Sequence, residues 1–281
     1  MIYRFPLSDV IIEITEEKHF VNTPEYSDEW MQISQTEFSL TIDDIAHYYV
    51  RAGKLIQITP SPKASKPSIE LYLNGSVYGA VLHQRMILPI HGSCFNFNGT
   101  GIMVCGESGA GKSTVTASFC MNGSDFLTDD VSPIVFNNGK PQIWAMSDRI
   151  KLWGDSLEQL KQEKDGLHQI DHETEKFYYP MDSDKGTVFP LNQIFLLAKH
   201  TLPEVKFEEL AGVEKFTSLR NEIYRWEFLQ GMPQTEASYF SALALISQSV
   251  KVCKVFRPEV IHIDEFRLEL ETFLYTSSPV E

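Results

Sequence analysis

The chain lacks any apolar run approaching the roughly 20 residues that a membrane-spanning helix needs. Its longer unbroken stretches, such as Ile194 to Ala198, are a fraction of that length, which excludes a helical membrane protein. Positive charge is scarce, with 24 Lys and Arg against 38 Asp and Glu and a formal charge of -14. Such a field repels nucleic acid and anionic membrane at long range, so neither is expected as a partner, and any bound phosphate must be gripped by local geometry. Cysteine is sparse too: Cys94, Cys105, Cys120 and Cys253 lie far apart, with no C-x-x-C pair, in a chain of 281 residues. That length needs no disulfide staples, and the four read as buried, reduced thiols. The opening Met-Ile-Tyr-Arg-Phe-Pro runs into Asp9, Glu13, Glu16 and Glu17 without the apolar stretch of a secretory signal, so a cytoplasmic location is expected. Internal repeats, low-complexity tracts and long like-charge runs are missing. With 43% hydrophobic and 22% charged residues, the chain can still bury one large core or two modest ones, which excludes disorder.

What is present has two textures. Residues 1-75 read as a small β-rich amino-terminal domain, because Val10 to Ile14, Glu37 to Ile42, Lys54 to Ile58 and Ile69 to Leu73 alternate or run in β-branched and apolar residues. Thr59 to Ser68 sets three prolines among small polar residues and reads as a loop near the boundary. Residues 76-281 read as one α/β catalytic domain with a mixed sheet. Val77 to Leu88 suits a helix closed by Pro89. Ser93 to Phe97 and Gly101 to Cys105 suit two antiparallel strands around Asn98-Gly99, a strong hairpin signal. A helix is predicted from Lys112 to Met121, ended by Asn122-Gly123. The short strand Asp125 to Thr128 then completes a crossover that should set it beside the strand ending at Cys105. Further on come a hairpin at Ile134 to Gln142, a helix capped at Asp155-Ser156 and running to about Glu163, and a buried strand Leu191 to Leu197. An apolar helix Ser238 to Lys251 and a terminal helix around Asp264 to Phe273 follow.

One motif carries chemistry. Gly106-Glu107-Ser108-Gly109-Ala110-Gly111-Lys112-Ser113 fits the G-x-x-x-x-G-K-[ST] phosphate loop at every required position. It follows a strand and opens a helix, so backbone N–H groups and the positive helix end converge on one anion site. Lys112 would reach the β and γ phosphates of ATP, and the Ser113 hydroxyl would ligate Mg²⁺. Asp129 and Asp130 follow the next strand, where one carboxylate can hold the metal and the other accept a proton from an acceptor hydroxyl. The sequence leaves that division open, with Asp130 set beside Ser113 as the metal ligand. His91 starts the hairpin strand that returns to the loop, which places it near the phosphates. His168 and His172, with Asp171 and Glu173, would share a helix face, but no third ligand has convincing spacing, and Lys161 to Lys176 reads as exposed and polar. Phe177, Tyr178 and Tyr179, before Pro180, suit a peptide-docking surface or core, and core is the expectation.

Together, His91-Gly92, Gly106 to Thr114 and Leu127-Thr128-Asp129-Asp130 resemble the catalytic core of the HPr serine kinase family. The likeness covers about residues 75 to 200 and, more weakly, the end, where Phe256-Arg257-Pro258 looks like a feature of the family's shorter relatives. It implies a P-loop kinase core of the HPr kinase carboxy-terminal type, with ATP and Mg²⁺ on Gly106 to Thr114. It also implies that His91 lies by the transferred phosphate and that Asp129 or Asp130 acts as base toward a serine hydroxyl. The Arg-Gly-rich signature of true HPr kinase/phosphorylases is missing, and the amino-terminal part is shorter than that family's regulatory domain. The short form is similar instead to kinases that phosphorylate the carboxy-terminal serine of lasso peptide precursors. The expectation is therefore an ATP- and Mg-dependent serine kinase whose partner is a peptide or small protein with an acceptor serine. Arg149, Lys151 and Lys176 are candidates to neutralise the transferred phosphoryl group. Two rivals stand beside it: a P-loop ATPase or switch protein, and a kinase of a small-molecule hydroxyl on a sugar or free amino acid. The oligomeric state is left open, homo-oligomers included.

Overall fold

Period-two burial builds a first sheet of six strands in the computed structural model, which describes residues 3–170 and 174–277. Its order is Ile11–Ile14, Leu55–Pro60, Ala46–Arg51, Glu37–Ile42, Met31–Ile33 and Tyr26–Ser27, parallel only at the first pair. Phe38, Tyr48, Val50, Ile56 and Ile58 are buried in one core with Val77, Val81 and Leu82 of a helical run. Ile69 to Leu73, expected as a strand, belongs to that run. Ser65 caps the helix Lys66–Tyr72 by accepting from the Ser68 N–H at 3.2 Å, and Pro67 falls in the first turn, where its missing N–H is not needed. The proline-rich stretch is thus loop only in its middle, since the flanking strand reaches Pro60. The run continues through one π-helical turn, Leu73–Val77, and the helix Tyr78–Gln84, so it crosses residue 75 and stops short of Leu88. Val131, Met146, Phe228 and Met232 from the later part of the chain join the same core.

His83, at the end of this run, is fully buried, and its Nε2 donates to the Tyr224 carbonyl at 2.9 Å. Burial pulls its pKa down to about 4. A histidine in the unfolded chain titrates near 6.5, so as pH falls the unfolded state takes up the proton first. The stabilising contribution is full above about 6.5 and is lost between there and about 4, which amounts to roughly 3 kcal/mol at most. Urea unfolding at pH 7.5 and pH 4.5 should show this drop in the wild type and a visibly smaller one in His83→Leu. An identical pH dependence in the two proteins counts against the assignment.

The second sheet runs Lys140–Trp144, Val131–Asn137, Leu88–Phe97, Thr100–Gly106, Val188–His200, Lys251–Pro258 and Lys206–Glu209. Lys140–Trp144 also pairs with Val188–His200, which closes five strands into a ring. The Asn98-Gly99 hairpin forms as expected, with φ of 51° and 80°, the left-handed pair that a tight two-residue turn requires. The helix Lys112–Met121 and the strand Asp125–Thr128 also stand where the sequence sets them. The pairing of that strand differs. Asp125–Thr128 lies antiparallel to Leu88–Phe97, not beside Thr100–Gly106, because the ten-residue hairpin strand offers its other edge first. The crossover therefore skips one strand.

Other boundaries shift for local reasons. The helix expected from Asp155 is Gly154–Gln159, with Asp155 inside its first turn and its Oδ1 accepting from the Ser156 N–H at 2.7 Å. The apolar helix is Pro233–Ser249, and Lys251 opens a strand that its helical pattern hid. The last helix is Ile263–Ser277. Arg149–Trp153, Lys176–Pro180 and His168–Gln169 form a small third sheet. Phe177 and Tyr179 pack into the cluster around Ile150, Leu152 and Leu157, whereas Tyr178 faces the other way, beneath Arg149. His168 is exposed, and Asp171, His172 and Glu173 lie outside the described residues. All four cysteines are free; Cys94, Cys105 and Cys253 are buried and Cys120 half-buried, and burial pushes the Cys94 thiol up to about 12.

Candidate active site

Three chain segments end at one place. Antiparallel register sets Gly92 opposite Cys105 and Val131 opposite His91, so the hairpin strand, the glycine-rich loop and the Asp129-Asp130 turn converge at the same edge. The loop itself needs its glycines. Gly106, Gly109 and Gly111 have φ of 131°, 79° and 103°, and a Cβ at Gly106 would lie 2.5 Å from the Leu197 carbonyl oxygen. Lys112 Nζ folds back over the loop, donating to the Gly106 carbonyl at 2.7 Å and the Glu107 carbonyl at 3.3 Å. Gly106 N donates to Glu222 Oε2 at 3.3 Å, and burial pushes that carboxyl up. Glu222, from the turn after the helix Gly212–Asn221, has no signal in the sequence that ties it to the loop.

The paired aspartates separate. Ser113 Oγ donates to Asp129 Oδ1 at 2.8 Å, and the Lys151 backbone N–H donates to Asp129 Oδ2 at 2.9 Å. Burial, with Asp130 as neighbour, raises the Asp129 pKa. Asp130 has a left-handed φ of 70°, a backbone state seldom held by a non-glycine residue without surrounding support. Lys151 Nζ donates to its Oδ2 at 2.7 Å, and His91 Nε2 stands 3.6 Å from its Oδ1. Burial alone would raise Asp130, but the Lys151 ammonium outweighs it and holds the carboxyl well below the usual range. Lys151 in turn is pulled down by burial and pushed further up by Asp130. Burial and the Lys112 charge lower His91, which keeps its imidazole neutral at pH 7. Ser113 and Asp130, set together in the sequence as the metal pair, are thus not joined: the hydroxyl meets Asp129, because the left-handed turn sends consecutive carboxylates to different partners.

A cleft of about 460 Å³ takes in His91, Ser108, Gly109, Gly111 to Thr114, both aspartates, Lys151 and Lys176, and reaches Lys199 and Arg257 at its far end. A second cleft, about 540 Å³, shares His91, Ser108, Asp130, Lys151 and Lys176 with the first and is walled by Tyr72, Ser76, Tyr224 and Trp226. Trp226 is 50% exposed. Tyr224 seats against Gly75 and Gly79, where a Cβ would come within 3.2 and 3.0 Å, and its ring meets His91 edge-on at 5.8 Å. Of the three cations named from the sequence, Lys151 and Lys176 line both clefts. Arg149 lies 3.8 Å over the Tyr178 ring, in a cavity of about 60 Å³ next to the aspartates. Lys199 and the Tyr224 wall carry no signal in the sequence, and Arg257 stands out there only within Phe256-Arg257-Pro258 with nothing to set it at the loop, since the register of distant strands brings them here.

No family model matches the chain, and no curated protein is similar to it in sequence. Several solved structures are similar in fold. Among them is the HPr(Ser) kinase/phosphatase from Coxiella burnetii, at 14% identity over 67% of this chain and 94% of that chain, with a TM-score of 0.35. A likeness that slight leaves the site to be judged on its own geometry. Among the described residues, no helix is long and apolar enough to cross a membrane.

Proposed function

We propose that this chain is an ATP-dependent kinase that moves the γ-phosphoryl group to a serine hydroxyl of a peptide or small protein. The observation that carries the reading is the place of Asp130, on the wall common to two clefts, one lined by the glycine-rich loop from Ser108 to Ser113 and the other meeting that loop at Ser108 alone. A pure hydrolase or switch has use for the first cleft alone. The donor nucleotide occupies the loop, where the amides of Gly106 to Ser113 and the Lys112 ammonium hold its phosphates. Ser113 Oγ and the Asp129 carboxylate are hard oxygen donors 2.8 Å apart, and a half-buried carboxylate pushed up in pKa is relieved by a divalent cation, so the residues fit Mg²⁺. When bound, the metal neutralises charge on the β and γ phosphates.

Asp130, kept ionised by Lys151, accepts the proton of the incoming hydroxyl. Neutral His91 orients the same group, and Lys176 adds positive charge beside the transferred phosphoryl. The second cleft favours a hydroxyl carried on a chain over a free metabolite, because it is open and flanked by the aromatic rings of Tyr72, Tyr224 and Trp226. Within that class, the carboxy-terminal serine of a lasso peptide precursor is the first acceptor to try. The test is incubation with γ-labelled ATP, Mg²⁺ and a serine-ended precursor peptide, alongside internal-serine peptides, sugars and free serine. Label should pass to a peptide hydroxyl. Label found only as free phosphate, or only on a small metabolite, overturns the reading in favour of an ATPase or a small-molecule kinase.

A further inference from the structure

The loop cleft has two ends, and the chemistry above uses one. His91, Asp129 and Asp130 come from one side of the strand Thr100–Gly106, and Lys199 and Arg257 from the two strands on its other side. Parallel register sets Leu197 beside Gly106 and Lys199 beside Arg257, so both cations sit at the carboxyl ends of their strands, two residues beyond the level at which Gly106 opens the loop. Lys251–Pro258 is the second strand out, roughly 10 Å from the loop strand at about 4.8 Å per step. A triphosphate whose terminal group faces Asp130 runs back across the loop toward Arg257, and its nucleoside leaves the phosphate cradle there.

Arg257 is built as a platform. Its guanidinium is half-buried, with Cζ 6.0 Å over the Phe266 ring. Nη1 donates to the Ala110 carbonyl and Nε to the Pro258 carbonyl, both at 3.4 Å. A Cβ on Gly111 would lie 2.7 Å from Nη1, so the close approach of loop and guanidinium depends on that glycine. Among the described residues no carboxylate pairs with Arg257. A half-buried planar cation, backed by an aromatic ring and with the Asp155 carboxylate acting on it only from beyond ion-pair distance, presents a face to the cleft, and such faces stack on π systems. We infer that Arg257 is the surface on which the base of a purine nucleotide stacks, with Phe266 behind it. Stacking reads the face of the base and not its edge, so ATP and GTP bind alike and pyrimidine triphosphates bind more weakly.

The inference rests on the kinase reading only in placing phosphates on the loop. Calorimetric titration of the full chain with Mg²⁺ and ATP, GTP, CTP or inorganic tripolyphosphate separates base from phosphate. Arg257→Ala and Arg257→Lys should each bind ATP about tenfold more weakly, the scale of a desolvated cation–π stack, with tripolyphosphate affinity unchanged. Unchanged tripolyphosphate binding also shows that the variants fold, and Arg257→Lys keeps the charge and most of the volume if the alanine variant does not. The inference is overturned by wild-type ATP affinity in either variant, by equal loss of tripolyphosphate and ATP in Arg257→Lys, or by CTP binding as tightly as ATP. Lys112→Ala is the separate control. Retention of both ligands in that variant removes the loop reading itself, an outcome that no Arg257 variant produces.

Discussion

Asp130→Asn is expected to lower phosphoryl transfer to the acceptor by about 100- to 10,000-fold, the range typical of a lost general base, while ATP affinity stays near that of the wild type. The amide keeps the shape of the carboxyl but cannot take the proton, and the nucleotide's own ligands, Lys112 and Ser113, are untouched. The substitution also strips Lys151 of its carboxylate. That pair is only partly shielded, with side chains 27% and 16% exposed, so the stability loss should fall below the roughly 3–5 kcal/mol of a fully buried pair broken on one side. The double variant Asp130→Asn with Lys151→Met removes both charges and separates the two effects: its thermal midpoint should recover while its rate does not. Asp129→Asn serves as the contrast, since it should raise the Mg²⁺ concentration needed for half-maximal rate. A rate within tenfold of wild type in Asp130→Asn would place the base elsewhere.

Elements whose shape is decided within a few residues were legible in the sequence. Asn98-Gly99 turns the hairpin because both positions adopt positive φ, and Gly123 closes the helix Lys112–Met121 with φ of 99°. Elements decided by distant packing were not. Ile69 to Leu73 carries a strand-like composition, but Ser65 and Pro67 start a helix just ahead of it and the sheet beneath buries Ile69 and Leu73. The strand Lys251–Pro258 follows an apolar helix without a glycine or proline to separate them, and only its parallel pairing with Val188–His200 fixes it. The order of strands around the loop was equally out of reach, because a crossover of given length can span one strand or two.

The site divides along the same line. The loop was visible as a contiguous motif, and His91 could be placed by counting along one hairpin. The separate duties of Asp129 and Asp130 could not, since they hang on a left-handed residue and on Lys151 arriving from another sheet. Arg149 and Lys151 alternate on one strand and so share a face, which is why period alone could not choose between them. Tyr178, opposite Lys151 in the register, takes Arg149 as its stacking partner and leaves Lys151 to Asp130. Arg257 lies 145 residues beyond Lys112 in sequence, and nothing nearby announces that its strand ends beside the loop.

Lys112→Ala should abolish turnover, with a loss of roughly 1,000-fold or more, the scale seen when a charge that stabilises a phosphoryl-transfer transition state is removed. Among the described residues Lys112 Nζ bonds the carbonyls of Gly106 and Glu107 alone, at 2.7 and 3.3 Å. Gly106 is half-buried and Glu107 exposed, so releasing these carbonyls changes stability by about 1 kcal/mol. The thermal midpoint should therefore hardly move while activity and ATP binding collapse together, which distinguishes a phosphate ligand from a lysine that merely braces the loop. Lys112→Arg should fail as well: the guanidinium is a broad planar fork, and the cradle between Gly106 and Gly111 is shaped for a compact point charge. Full phosphoryl transfer in Lys112→Ala, measured beside an unchanged melting curve, would falsify the loop assignment.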